Sequence, residues 1–93
     1  MSWYIVSYDL RKEPDTAGYD AIYNALQSYP DWAWILESVW IVEGTSAKKI
    51  RDHLSKFLDD NDGLVVAELT GELCYQRVRK GTSKWLNERF ACG

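Results

Sequence analysis

Residues 3–10, WYIVSYDL, are aromatic or aliphatic at almost every position and run into a carboxylate at Asp9 before a polar loop begins. Tyr4, Val6 and Tyr8 alternate with Trp3, Ile5 and Ser7, so large apolar groups fall on both sides of the alternation. A strand open to water on one face would be polar at every second position. This one is not, and it therefore predicts a strand interior to a sheet and covered on both faces. Asp9 falls where the strand gives way to the loop RKEPD at 11–15. A rigid strand end followed by a loop is a natural place to hold a ligand, which makes Asp9 the first candidate for chemistry.

Ninety-three residues support one core, and 46% hydrophobic residues with five Trp and six Tyr are too apolar for a disordered chain. So many aromatics suit an interface as well as a core. With neither an apolar run of about 18 residues nor a cationic leader, the sequence predicts a soluble, cytoplasmic protein without membrane contact. Cys74 and Cys92 have no metal-ligand spacing and read as free thiols in a reducing compartment. The net charge of −3 argues against a protein that coats nucleic acid indiscriminately. From Cys74 onward, however, Arg77, Arg79, Lys80, Lys84 and Arg89 face one acid, Glu88, a balance of +4 that leaves −7 on the rest. A basic tail on an acidic body suits phosphates, an acidic partner surface or a second copy, and is equally what a solvated tail looks like.

Along the chain, Asp15 or Thr16 can cap a helix with Tyr19, Ile22, Tyr23 and Leu26 on one face, ended by Pro30. Residues 32–42, WAWILESVWIV, are β-prone and too long for one average strand. A kink or tight connection at Glu37-Ser38 divides them, with 39–42 the better buried half. A second helix is capped by Thr45 or Ser46 and buries Ile50, Leu54, Phe57 and Leu58. The acids of 59–62 read as a turn rather than a calcium loop, because the terminal bidentate Glu of an EF-hand is missing. Residues 64–69, LVVAEL, make another strand; 73–78 fit a short fifth strand and 82–90 a short helix presenting Trp85, Leu86 and Phe90.

The order β-α-β-β-α-β predicts an α+β, ferredoxin-like βαββαβ sandwich over 1–72 with a C-terminal extension, a strand and a helix, over 73–93. Both helices would share one face of the sheet. The other face then needs a cover: the extension packed upon it, or a second copy locked by exchange of a terminal strand, which makes the chain a homodimer.

These residues resemble a known family. YIVSYDL ending in Asp9, a helix, Glu37-Ser38-Val39-Trp40, a second helix and an Asp-rich turn before LVVAEL are similar to the Cas-two family over residues 3 to about 70. Those are small CRISPR-associated proteins, described as metal-dependent nucleases and as the structural partner of the spacer integrase. Virulence-associated protein D, a ribonuclease toxin, is a more distant relative, and the nearest resemblance is to uncharacterised Cas-two-like bacterial and phage proteins. The resemblance implies a ferredoxin-like homodimer with its strand-one aspartates facing each other across the two-fold axis. It assigns Asp9 to metal binding and matches Ser38, Val39 and Trp40 to a Ser-Val-Phe segment with Trp for Phe. The family's helix-one arginines have no counterpart between Tyr19 and Ser28; Arg11 and Lys12 alone lie near.

Phosphodiester cleavage needs an activated water and neutralised phosphoryl oxygens, and one Mg²⁺ can supply both. Two copies of Asp9 at a dimer axis would provide the one or two carboxylates Mg²⁺ usually takes. In that reading Arg11, Lys12, Arg77, Arg79 and Lys80 position phosphates. The alternative is a non-catalytic dimer that binds nucleic acid or a protein partner, with Asp9 capping its loop by accepting the backbone N–H of Arg11 or Lys12. His53 reads as half-buried packing. Trp32 and Trp34 share a strand face and can stack bases, though a dimer or core contact is the expected use, and Glu68 is expected to pair with a tail arginine.

Overall fold

The computed structural model describes residues 1–11 and 17–93, the side chains of 17 and 18 excepted. Four strands, β1 (Ser2–Asp9), β2 (Trp32–Leu36), β3 (Val39–Gly44) and β4 (Gly63–Leu69), form one antiparallel sheet in the order β2-β3-β1-β4. Helices α1 (Ala17–Leu26) and α2 (Ala47–Ser55) connect β1 to β2 and β3 to β4, so two βαβ units interleave their strands. Lys12 and the caps expected at Asp15 and Thr16 lie outside the described residues. Among those described, no helix is long and apolar enough to cross a membrane.

β1 is interior, as its two-sided pattern requires: it pairs with β3 from Ser2↔Gly44 to Ser7↔Val39 and with β4 from Trp3↔Leu69 to Asp9↔Gly63. Tyr4, Val6 and Tyr8 point to the helices and, with Trp40 and Val42 of β3, bury Ile22 and Leu26 of α1 and Ile50 and Leu54 of α2. α2 starts where the Ser46 side chain accepts the Lys49 N–H at 3.0 Å. It passes so close over the end of β3 that a Cβ at Gly44 would stand 2.8 Å from Ile50 Cδ1. His53 packs as expected, its Nδ1 bonded to the Tyr29 hydroxyl at 2.8 Å and its ring edge-on to Phe57.

The opposite face carries Ala33, Ile35 and Ile41, and the chain covers it itself. Helix α3 (Thr82–Arg89) lays Leu86 on it, with Leu73, Val78, Trp85 and Phe90 around. This removes the need for a second copy as cover. Two further expectations are corrected. Residues 73–78 are irregular rather than a fifth strand, because Arg77 takes a left-handed φ of 56° that breaks extended backbone. Just beyond them, the Arg79 N–H reaches the outer edge of β2, donating to the Ile35 carbonyl at 2.9 Å. Cys74 and Cys92 are not free thiols but a disulfide, their Cα atoms 4.7 Å apart.

One ion pair fastens α3 to the sheet. Asp31 Oδ2 accepts Arg89 Nε at 3.0 Å and Nη2 at 2.9 Å, while Oδ1 accepts Trp85 Nε1 at 3.1 Å and the Trp32 N–H at 2.9 Å. Partial burial pushes the Asp31 carboxyl up, but the Trp85 and Arg89 bonds and the Arg89 charge outweigh it and hold it below 3.8. A depressed carboxyl stabilises the fold above its unfolded value and loses that contribution as pH falls through the folded one. Acid titration below about pH 4 should therefore shift Trp fluorescence from the Trp3–Trp85 pair, whose rings lie 5.3 Å apart, before the sheet unfolds. Asp31→Asn should abolish that early phase and cost about 1 kcal/mol at neutral pH. An unchanged acid profile in that variant would show that the pair does not hold α3.

Candidate functional site

The strand ends bearing Asp9 and Leu36 lie on the same side of the sheet, because β1 and β2 both run antiparallel to β3. The Glu37-Ser38 turn between β2 and β3 therefore comes to rest beside Asp9. A chain of hydrogen bonds holds it there. The Tyr8 N–H donates to the Ser38 carbonyl at 3.1 Å, and the Glu37 carbonyl accepts both the Tyr8 hydroxyl at 3.2 Å and Trp34 Nε1 at 3.1 Å. Trp40 Nε1 in turn donates to the Tyr8 hydroxyl at 3.1 Å. Burial pushes the Tyr8 phenol up to about 12, against the opposing Trp40 bond, so the hydroxyl stays protonated and donating at neutral pH.

The result is an open cavity of about 210 Å³ lined by Tyr8, Asp9, Leu10, Tyr19, Glu37 and Ser38. It holds two carboxyl-bearing side chains, one more than sequence reasoning assigned. Glu37 was legible as part of a kink and of the segment that carries the family resemblance, but not as a partner of Asp9, since nothing in a linear pattern says which strand end a turn will face. The Asp9 carboxylate is 3.0 Å from Arg11 Nη2, with both side chains largely in solvent at 67% and 61% exposure. The expected Asx turn is not formed by Asp9 with Arg11: the Arg11 N–H donates to Asp62 Oδ1 at 2.8 Å. Asp62 also accepts the Asp59 N–H at 2.8 Å, which makes 59–62 the turn that the sequence indicated.

Exposed ion pairs are worth about 0–1 kcal/mol, so a cation or a phosphate can separate Arg11 from Asp9 at little cost. Mg²⁺ commonly takes one or two carboxylates and completes its octahedron with water, a demand that Asp9 and Glu37 meet in donor type and number. No group of three or more His, Cys, Asp or Glu converges among the described residues.

The other predicted residues scatter. Arg79 and Lys80 line a second, separate cavity with Trp32 and Trp34, and Arg77 lies in the preceding bend. Glu68 is exposed on β4 and makes no ion pair with a tail arginine among the described residues; Arg89, the tail arginine that does pair with the body, is taken by Asp31.

No family model matches the chain, and no curated protein is similar enough to be matched. Among solved structures, a hypothetical protein, TT1823 from Thermus thermophilus, superposes with a TM-score of 0.64 over 81% of this chain and 89% of its own, at 23% identity. At that identity the likeness concerns the fold.

Proposed function

We propose that this chain is a Cas-two-like, ferredoxin-like homodimer that acts on nucleic-acid phosphodiesters at the end of β1, with Mg²⁺ held at Asp9. The supporting observation is the shared cavity of Asp9, Glu37 and Ser38, which unites in space the two segments that carry the family resemblance. Asp9 and Glu37 would hold the ion, or Asp9 with its copy across a dimer axis. When bound, the ion would activate a water and neutralise charge on the phosphoryl oxygens. The chain's own part is to position: Arg11, released from Asp9, is free to take a phosphate, and the Tyr8 hydroxyl fixes the Glu37-Ser38 turn. A two-fold assembly has a surface available. β4 is an edge strand with no outer partner among the described residues, and Val65 on it is 63% exposed.

The test is cleavage of labelled single- and double-stranded RNA and DNA with Mg²⁺, with EDTA, and with Asp9→Ala and Glu37→Gln. Cutting should vanish with EDTA and fall at least about a hundredfold in Asp9→Ala. Metal-dependent cutting that survives Asp9→Ala would remove this site from the reaction. A second reading, a binding module without chemistry, is favoured by the Arg11–Asp9 pair, which neutralises the aspartate within one chain. Absence of cutting on every substrate, with binding retained, would select it.

A further inference from the structure

We infer that the groove between β2 and the start of α3 binds single-stranded nucleic acid, one base stacking on Trp32 while Arg79 and Lys80 take the flanking phosphates. The groove encloses about 350 Å³ and is lined by Gln27, Trp32, Trp34, Arg79, Lys80 and Thr82 among others. It is separate from the Asp9 cavity and does not depend on chemistry there.

Three features give the ligand its character. Trp32 leaves 37% of its surface to solvent although its ring sits 5.6 Å from the buried Trp40, so a broad aromatic surface on a rigid strand faces the groove. Every base offers a π-face to such a surface, whatever its sequence. The Arg79 guanidinium lies 3.4 Å from the Trp34 ring centroid, and the Arg79 backbone N–H donates to the Ile35 carbonyl at the edge of β2. That guanidinium is fixed in place before any ligand arrives, with its N–H groups unclaimed by a carboxylate. Finally, Arg77, Arg79 and Lys80 form no ion pair among the described residues, and between Glu72 and Glu88 the chain carries four cations and no acid. The nearby carboxylate that could have neutralised them, Asp31, is already bound to Arg89 and Trp85. Unpaired cations beside an aromatic face call for a ligand that is both anionic and planar.

The groove suits single strands better than duplex. In a duplex the bases are stacked on one another and present edges rather than faces, so Trp32 would have nothing to stack on. An acidic peptide would satisfy the cations but leave the indole idle.

The experiment is fluorescence anisotropy with a labelled 12-mer of oligothymidylate and one of oligouridylate, a hairpin duplex of equal charge, and poly-glutamate as competitor. The wild-type chain should bind both single strands and quench its own Trp emission. Trp32→Ala should weaken binding about tenfold or more. Arg79→Gln/Lys80→Gln should weaken it similarly and reduce the slope of log affinity against log salt by about 1.4, two phosphate contacts' worth. Binding is measured in EDTA, where any metal-dependent step at the Asp9 cavity is silent, which keeps this result apart from any outcome of the cleavage assay. Circular dichroism monitors folding, and Trp32→Phe, which retains a stacking face, should recover most of the affinity. Failure of the wild-type chain to bind either 12-mer would overturn the inference. So would equal affinity for the hairpin, displacement by poly-glutamate at matched charge, or unchanged affinity in the double variant.

Discussion

Trp40→Ala is expected to cost about 3–5 kcal/mol, close to the whole stability of a small domain, measured as a lowered denaturant midpoint at unchanged slope. Trp40 is fully buried at the middle of the sheet, stacked on Trp34 at 5.0 Å with a 12° tilt, with Trp32 at 5.6 Å and Tyr23 at 6.1 Å. Truncation leaves a cavity bounded by rings that are themselves too rigid to collapse into it. Trp40→Phe separates packing from polarity. It keeps most of the ring but removes the donor to the Tyr8 hydroxyl, and should cost about 1–2 kcal/mol. The smaller variant matters more for function, since the Tyr8 hydroxyl holds the Glu37 carbonyl and hence the turn beside Asp9. It should lower activity or ligand affinity at the Asp9 cavity while the protein remains folded. A loss of less than about 1 kcal/mol in Trp40→Ala would show that the ring cluster is not what holds the helix face together.

The elements that could be read in advance are those whose burial shows as a local period. The two-sided alternation of 3–8 gave an interior strand, Ile22 and Leu26 the buried stripe of α1, and the Glu37-Ser38 break the separation of β2 from β3. What could not be read depends on contacts far apart in the chain. Residues 73–78 alternate like a strand, yet a strand needs a ladder partner, and the left-handed backbone at Arg77 breaks this segment; the bond to the β2 edge comes from Arg79, just beyond it. Trp32 and Trp34 have no basic neighbour in sequence; their cation, Arg79, arrives from 45 positions beyond Trp34. Asp31 gave no signal at all, and it meets Arg89 across 58 positions. The +4 balance of the tail marked it as basic, equally fit for an anionic partner or for solvent. Its charge could not say that one arginine would turn inward and the others outward.

The disulfide carries the second large effect. Cys74–Cys92 closes a separation of 18 residues around α3, and the chain-entropy estimate for such a loop is about 3 kcal/mol, drawn mainly from restriction of the unfolded chain. Neighbouring bonds tighten the same clasp: the Leu73 N–H donates to the Ala91 carbonyl and the Gly93 N–H to Glu72 Oε2, each at 3.0 Å. Cys74→Ser/Cys92→Ser, or reduction of the wild-type protein, should lower the melting temperature by roughly 15 °C. Without the bond, the tail stays on the sheet through the packing of Leu73, Val78, Trp85, Leu86 and Phe90, the Arg79–Ile35 backbone bond and the Asp31–Arg89 pair, against the entropy of a free tail. Release of that tail uncovers Ala33, Ile35 and Ile41, an apolar face that can be covered again only by rebinding or by a second molecule. Sedimentation of the reduced protein should therefore show concentration-dependent association beyond that of the oxidised protein, with the tail exchanged between copies. Identical melting and sedimentation in the two redox states would mean that the face is held by the packing of α3 alone, and that the disulfide merely joins two ends already fixed.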